Sequence, residues 1–249
     1  MTASELNEFL LAKADQFENL SFIEDDPISI PHQFKQKEDI EIIGLLVATI
    51  AWGNRKSIIK SGNKLVTIFG ESPHDFVMNF NPTRRIDFVH RTFSGEDLVF
   101  FIQALKSIYE ADGLEATFSK KTSDGIHVAI SNFRNTMLQT PHLSRSTKHL
   151  SNPMINSACK RLNMFLRWMV RSDAKGVDFG LWKTLSPKDL HIPLDVHTGN
   201  IARKLGVLER TQNDWKSSQR LHEFAKQLIP NDPSKLDFAL FGLGAIEDF

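Results

Sequence analysis

Two charged side chains stand where chemistry is plausible. Asp195 lies in PLDVHTGNIARKLGVL, residues 193–208. Pro193 imposes an extended approach, so Asp195 falls where a helix N-cap belongs. Ile201, Leu205 and Val207 form the apolar side of the helix behind it. An Asp at that place is held as an anion by free backbone N–H groups and the helix dipole. Capping alone is the ordinary task of such a residue. The continuation is less ordinary: His197 follows, then Arg203 and Lys204 one to two turns along. A carboxylate in that company can stabilise a developing positive charge or accept a proton.

The second is Lys160, in INSACKRLNMFLRWMVRSD, residues 155–173. The spacing predicts a helix from Ile155 to Arg171, with Ile155, Ala158, Leu162, Phe165, Leu166, Met169 and Val170 as its core stripe. Lys160, Arg167 and Arg171 share the other face. Lys160 opens that row near the helix N-terminus, where the dipole disfavours a protonated amine. A neutral amine is what Schiff-base chemistry needs. The plain alternative is a solvated Lys/Arg face. Cys159, beside it, reads as a small buried apolar residue rather than a nucleophile.

These residues need helices to position them, and the helical period dominates the chain. Leu6, Phe9, Leu10 and Phe17 mark a first amphipathic helix. EDIEIIGLLVATIAW (38–52) is apolar nearly all round and reads as a buried central helix. RKSIIKSGNKLVTIFG follows and stops at Gly70; Ser72-Pro73 restarts a helix. Further helices are expected between Thr83 and Asn135, after Asp195 to Leu205, over 213–229 and over 233–246. Thr140–Pro153 is a polar, basic loop. No strand pair, repeat or low-complexity tract is evident. The expected class is all-α, a single unit over 1–249 with lobes at 38–135 and at 1–37 plus 136–249.

Nineteen Phe against one Tyr describe an aromatic core with few phenolic groups. No membrane span and no signal peptide are read. One cysteine leaves no intrachain disulfide and no cysteine-based metal site, which fits a cytoplasmic protein. The formal net charge is zero, but it is unevenly spread. Residues 1–50 carry 3 basic and 10 acidic side chains, whereas residues 141–210 carry 12 and 5. A local positive face of that kind can meet phosphates.

PLDVHTGNIARKLG resembles the motif of the helix-hairpin-helix DNA glycosylase superfamily. The chain as a whole is similar to an uncharacterised bacterial conserved family, for which SACKRLNMFLRWMVR looks like a signature. The resemblance implies a two-lobed helical bundle with a cleft between lobes, and makes Asp195 catalytic. Among characterised enzymes the spacing is closest to the archaeal 8-oxoguanine glycosylases, and Lys160 lies 35 residues before Asp195. Lys160 is then the Schiff-base lysine, with Lys175 as runner-up. The superfamily's Leu-Pro-Gly-x-Gly hairpin is replaced by GVDFG (176–180), without the Pro. The implied activity is glycosylase/lyase action on an oxidised purine flipped from damaged double-stranded DNA. Trp52 would stack on the base, Asn54 or Arg55 would read its edge, and Arg145, Lys148, His149, Arg167, His197 and Arg203 would meet DNA. No cofactor and no metal are expected, and the protein is expected to be a monomer. The competing readings are a non-catalytic helical nucleic-acid binder and a metal-dependent phosphohydrolase built on PHDF (73–76).

Overall fold

The computed structural model describes residues 1–120, 124–172, 174–247 and 249. The described residues are predominantly helical, as their apolar period requires. In chain order the helices are α1 (Ala3–Phe17), α2 (Ser21–Glu24), α3 (Lys37–Ile50), α4 (Arg55–Phe69), α5 (Pro73–Met78) and α6 (Gly95–Glu110). There follow α7 (Gly113–Ser119), α8 (Ile126–Met137), α9 (Lys160–Val170), α10 (Val196–Lys204), α11 (Trp215–Leu228) and α12 (Leu236–Ala245). One strand pair departs from expectation: β1 (Val89–His90) runs antiparallel to β2 (Phe93–Ser94). Two residues a side carry too little alternation to be read in advance. None of the described helices is long and apolar enough to cross a membrane.

The chain forms two compact units. The unit Ile23–Asn152 is built on α3, in which every residue from Asp39 to Ile50 is buried. Its two inward acids are matched. The Asp39 carboxylate accepts the His74 amide at the start of α5 (2.8 Å), and Glu41 accepts the Tyr109 hydroxyl of α6 (2.7 Å). Phenylalanines fill the rest: Phe93 meets Phe88 and Phe101 edge-on, and Phe118 stacks on Phe133 with centroids 4.3 Å apart.

The basic loop of this unit contains a short 3-10 helix, Ser144–His149, and Asp97 ties it down. Asp97 completes the N-terminal capping box of α6 with Ser94. It also accepts the Ser146 hydroxyl and Arg145 Nη1 (2.9 Å). Burial pushes this carboxyl up, but the hydrogen bonds from Ser146 and Ser94 outweigh it and hold its pKa below the ordinary value.

In the unit Met1–Phe22 plus Pro153–Phe249, α12 is the spine, with α1 and α10 packed against it. Leu10, Ala14, Ile192, Leu194, Ile201, Leu221, Leu236 and Leu240 form its core. Here two expectations are corrected. α9 begins at Lys160 rather than Ile155, because Cys159 takes a left-handed conformation (φ 50°) and interrupts the run. And Arg167 and Arg171 are not on a solvated face: they are 3% and 4% exposed.

Both arginines are buried because carboxylates from distant segments close on them. Arg167 donates from Nε to Asp178 (3.2 Å) and from Nη1 to Asp237 (2.5 Å). Arg171 donates to Asp178 (3.0 Å), Asp232 (2.8 Å) and Glu18 (2.5 Å). Both guanidinium groups also lie over the Phe238 ring, 4.6 and 5.1 Å from its centroid. The GVDFG turn serves this network. Gly176 and Gly180 take positive φ (75° and 58°), and buried Asp178 bridges the two arginines. The turn's Phe179 amide donates to the Trp168 carbonyl (2.8 Å), so it is occupied within the protein.

Arg171→Met would leave Glu18, Asp178 and Asp232 facing one another without their shared cation. The expected loss of unfolding free energy is about 3–5 kcal/mol. Urea denaturation followed by far-ultraviolet circular dichroism measures it, and a loss below about 1 kcal/mol would contradict a buried pairing role.

Candidate functional site

Lys160 is the first residue of α9 and is half-buried. Among the described residues its amine makes no hydrogen bond or ion pair within 4 Å. Three and seven positions on, Asn163 and Arg167 share its face of the helix. Asn163 is buried; its amide nitrogen donates to the Ala158 carbonyl (3.0 Å), and its Oδ1 has no partner among the described residues. The stripe therefore runs from a free amine, past an open acceptor, to the guanidinium that holds Asp237.

Asp195 is the N-cap of α10, as its position after Pro193 predicts. Its Oδ1 accepts the Thr198 amide (3.0 Å), and its carbonyl accepts the Asn213 side-chain amide (2.8 Å). Thr198 is buried, and its hydroxyl also lacks a partner among the described residues. Asp195 is half-buried, so one carboxylate has both a structural bond and a route to solvent.

Asp237 lies buried in the first turn of α12. Its pKa is raised to about 6, first by burial, against the pull of Arg167. The charge of Asp195 pushes it further up, and the charge of Lys160 pulls it down. The amine of α9 and the carboxylate of α10 thus act on the same buried group. Asp237 is the member that sequence reasoning missed. Its signal was an acid inside LDFALFGLGA, a helix so apolar that the acid had to be buried.

The remaining expected residues divide between the units. His197 is exposed, with Nδ1 3.2 Å from the Gly244 carbonyl oxygen. Arg203 is half-buried and donates to the Arg210 carbonyl (2.6 Å) and the Asn213 side chain (2.5 Å). Arg167 is corrected by its burial between two carboxylates. Lys175 is exposed in the GVDFG-bearing loop and has no place among the groups that act on Asp237.

In the unit 23–152, Trp52 is half-buried at the end of α3, and His149 lies beside it at 5.9 Å between ring centroids. His149 is 3% exposed, with Nε2 3.7 Å from Asp97, so it is corrected from a phosphate contact to a wall behind Trp52. His90 meets Trp52 edge-on at 5.2 Å. Its Nε2–H donates to the Trp52 carbonyl (3.3 Å), leaving Nδ1 to accept the Ser61 hydroxyl (2.8 Å). Asn54 is the exposed N-cap of α4, and its side chain accepts the Ser57 amide (3.2 Å). Arg55 is the first residue of α4 and half-buried; Lys148 is exposed. Arg145 keeps 40% of its side chain exposed but pairs with Glu96 (2.8 Å) and Asp97 (2.9 Å). Arg91 was not foreseen: it holds a positive φ of 54°, a strain of roughly 1–3 kcal/mol for a non-glycine residue.

The PHDF segment is used locally. The His74 ring packs edge-on to Tyr109 (5.1 Å), and Asp75 accepts the Ser72 hydroxyl (2.9 Å). Among the described residues no three His, Cys, Asp or Glu side chains are grouped to hold a metal ion.

Asp237 makes stability depend on pH with a defined sign. Its pKa is higher folded than unfolded, so the folded state binds more protons between about pH 4 and pH 6. Its contribution to stability therefore falls as pH rises through that window and is level above it. Relative to the wild type, Asp237→Asn should gain on the order of 3 kcal/mol between pH 4 and pH 7. Urea midpoints of both proteins at the two pH values measure this, and a pH-independent difference would contradict it.

A family model described as a protein of unknown function, DUF2400, matches residues 26–246. No curated protein and no solved structure matches the chain. The matched span covers nearly all of the chain, including Trp52, Lys160, Asp195 and Asp237, and the chain belongs to the DUF2400 family.

Proposed function

We propose that this chain is a base-excision DNA glycosylase with abasic-site lyase activity, built like the helix-hairpin-helix DNA glycosylases and acting on an oxidised purine flipped from duplex DNA. The observation that carries the reading is the placing of both side chains in one unit, Lys160 half-buried at the start of α9 and Asp195 half-buried on the N-cap of α10 within PLDVHTGNIARKLG. The half-buried amine and the capped carboxylate come from segments 35 residues apart. The motif PLDVHTGNIARKLG and the division of the chain into two helical units support the reading.

The chemistry follows from the two side chains. The Lys160 lone pair forms a bond to the sugar C1′, and the C1′–N bond breaks with its electron pair leaving on the base, which takes up a proton. Asp195 stabilises the cationic sugar and accepts the proton that Lys160 loses. Opening of the sugar ring converts the amine adduct to an imine. Loss of a C2′ proton then expels the 3′ phosphate by elimination. Trp52, backed by His90 and His149, offers an aromatic face on which an extruded base stacks. On this reading Asn54 and Arg55, at the start of α4, read its edge.

Borohydride trapping tests this on duplexes carrying 8-oxoguanine or an abasic site. The wild type should give a covalent protein–DNA adduct, and Lys160→Ala should give none. Asp195→Asn should slow adduct formation by about 10²–10⁴-fold. Binding of these duplexes without any adduct would leave only a nucleic-acid-binding role.

A further inference from the structure

The hairpin of β1 and β2 breaks a local rule. Its turn is Arg91-Thr92, and a two-residue hairpin turn needs positive φ at its first central residue, the place of Gly, Asn or Asp. Arg91 stands there with φ 54°. The flanks are anchored: Phe88, His90 and Phe93 are each at most 3% exposed. The hairpin is therefore held firmly while its tip carries a strained, exposed residue.

The guanidinium has no carboxylate to explain it. Among the described residues Arg91 makes no hydrogen bond or ion pair. It closely approaches Gly53, where a Cβ would come 2.5 Å from Arg91 Nη1. Gly53 itself has φ +99° and separates Trp52 from Asn54. His90, adjacent in the hairpin, is the residue that bonds the Trp52 carbonyl. A cation with no partner among the described residues is thus presented over Gly53, the residue that follows the half-buried Trp52. Strain kept at a surface turn and a charge kept without a partner are both the marks of a binding residue.

We propose that Arg91 is a DNA phosphate contact, resting on the reading of this chain as a DNA glycosylase, and that it grips the backbone next to the nucleotide stacked on Trp52. A planar guanidinium with five donors suits a phosphodiester, and Gly53 permits its close approach. Each phosphate neutralised by the protein adds about 0.9 to the slope of log affinity against log salt.

The test is fluorescence anisotropy with a duplex carrying a tetrahydrofuran abasic-site analogue, across a salt series. Arg91→Gly removes the cation and relieves the strained φ, so its thermal midpoint should equal or exceed that of the wild type. Its affinity should fall about 3–10-fold at low salt, and its salt slope should drop by about one phosphate's worth. Arg91→Lys should keep most of the slope. If the wild type binds the duplex and Arg91→Gly binds with unchanged affinity and slope, the Arg91 assignment is overturned and the glycosylase reading stands. If the wild type shows no salt-dependent binding to this duplex, both fall together.

Discussion

Arg171 is the fixed point of its unit. Glu18 arrives from the end of α1, Asp178 from the GVDFG turn and Asp232 from the loop before α12, and all three end on one guanidinium. No single segment can bury such a charge alone, because an unpaired ion in a low-dielectric interior costs several kcal/mol. The partners must therefore arrive together. Asp178 hands the network to Arg167, and Arg167 hands it to Asp237. The result is an alternating row of charges that docks the N-terminal helix, the turn and the last helix onto α9.

Asp237 stands at the far end of that row. Asp237 is paired to Arg167 through one oxygen and is acted on by Asp195 and Lys160. Electrostatic effects are strongest where water is excluded, so the charge of buried Asp237 is set by fixed groups more than by solvent. In the proposed reaction, a lysine that must lose its proton and a carboxylate that must keep its charge are set in one unit of the fold. Arg167 and Arg171 of this row serve architecture, while its first member, Lys160, has no partner among the described residues.

Much of the architecture was legible from apolar spacing. α3 was readable as a buried helix because IEIIGLLVATI leaves no polar side to expose. Asp195 was readable as a cap from Pro193 before it and the apolar stripe behind it. What was not legible was pairing across the chain. Counting charges along residues 141–210 suggested a basic face, but Arg167 and Arg171 are neutralised by acids at positions 18, 232 and 237, outside that window. The strain at Arg91 was equally hidden, since nothing in VHRTFS marks a hairpin when each strand is two residues long.

The central claim is that Lys160, Asp195 and Asp237 belong to one electrostatic unit. Its most direct test is the carbon-13 titration of the Asp237 carboxyl in three proteins. With the wild type titrating at about 6, removing the negative charge in Asp195→Asn should move the Asp237 midpoint down, and removing the positive charge in Lys160→Gln should move it up. Opposite shifts are the predicted result. A midpoint that stays in place in both variants would mean that the three groups do not sense one another, and would contradict the account.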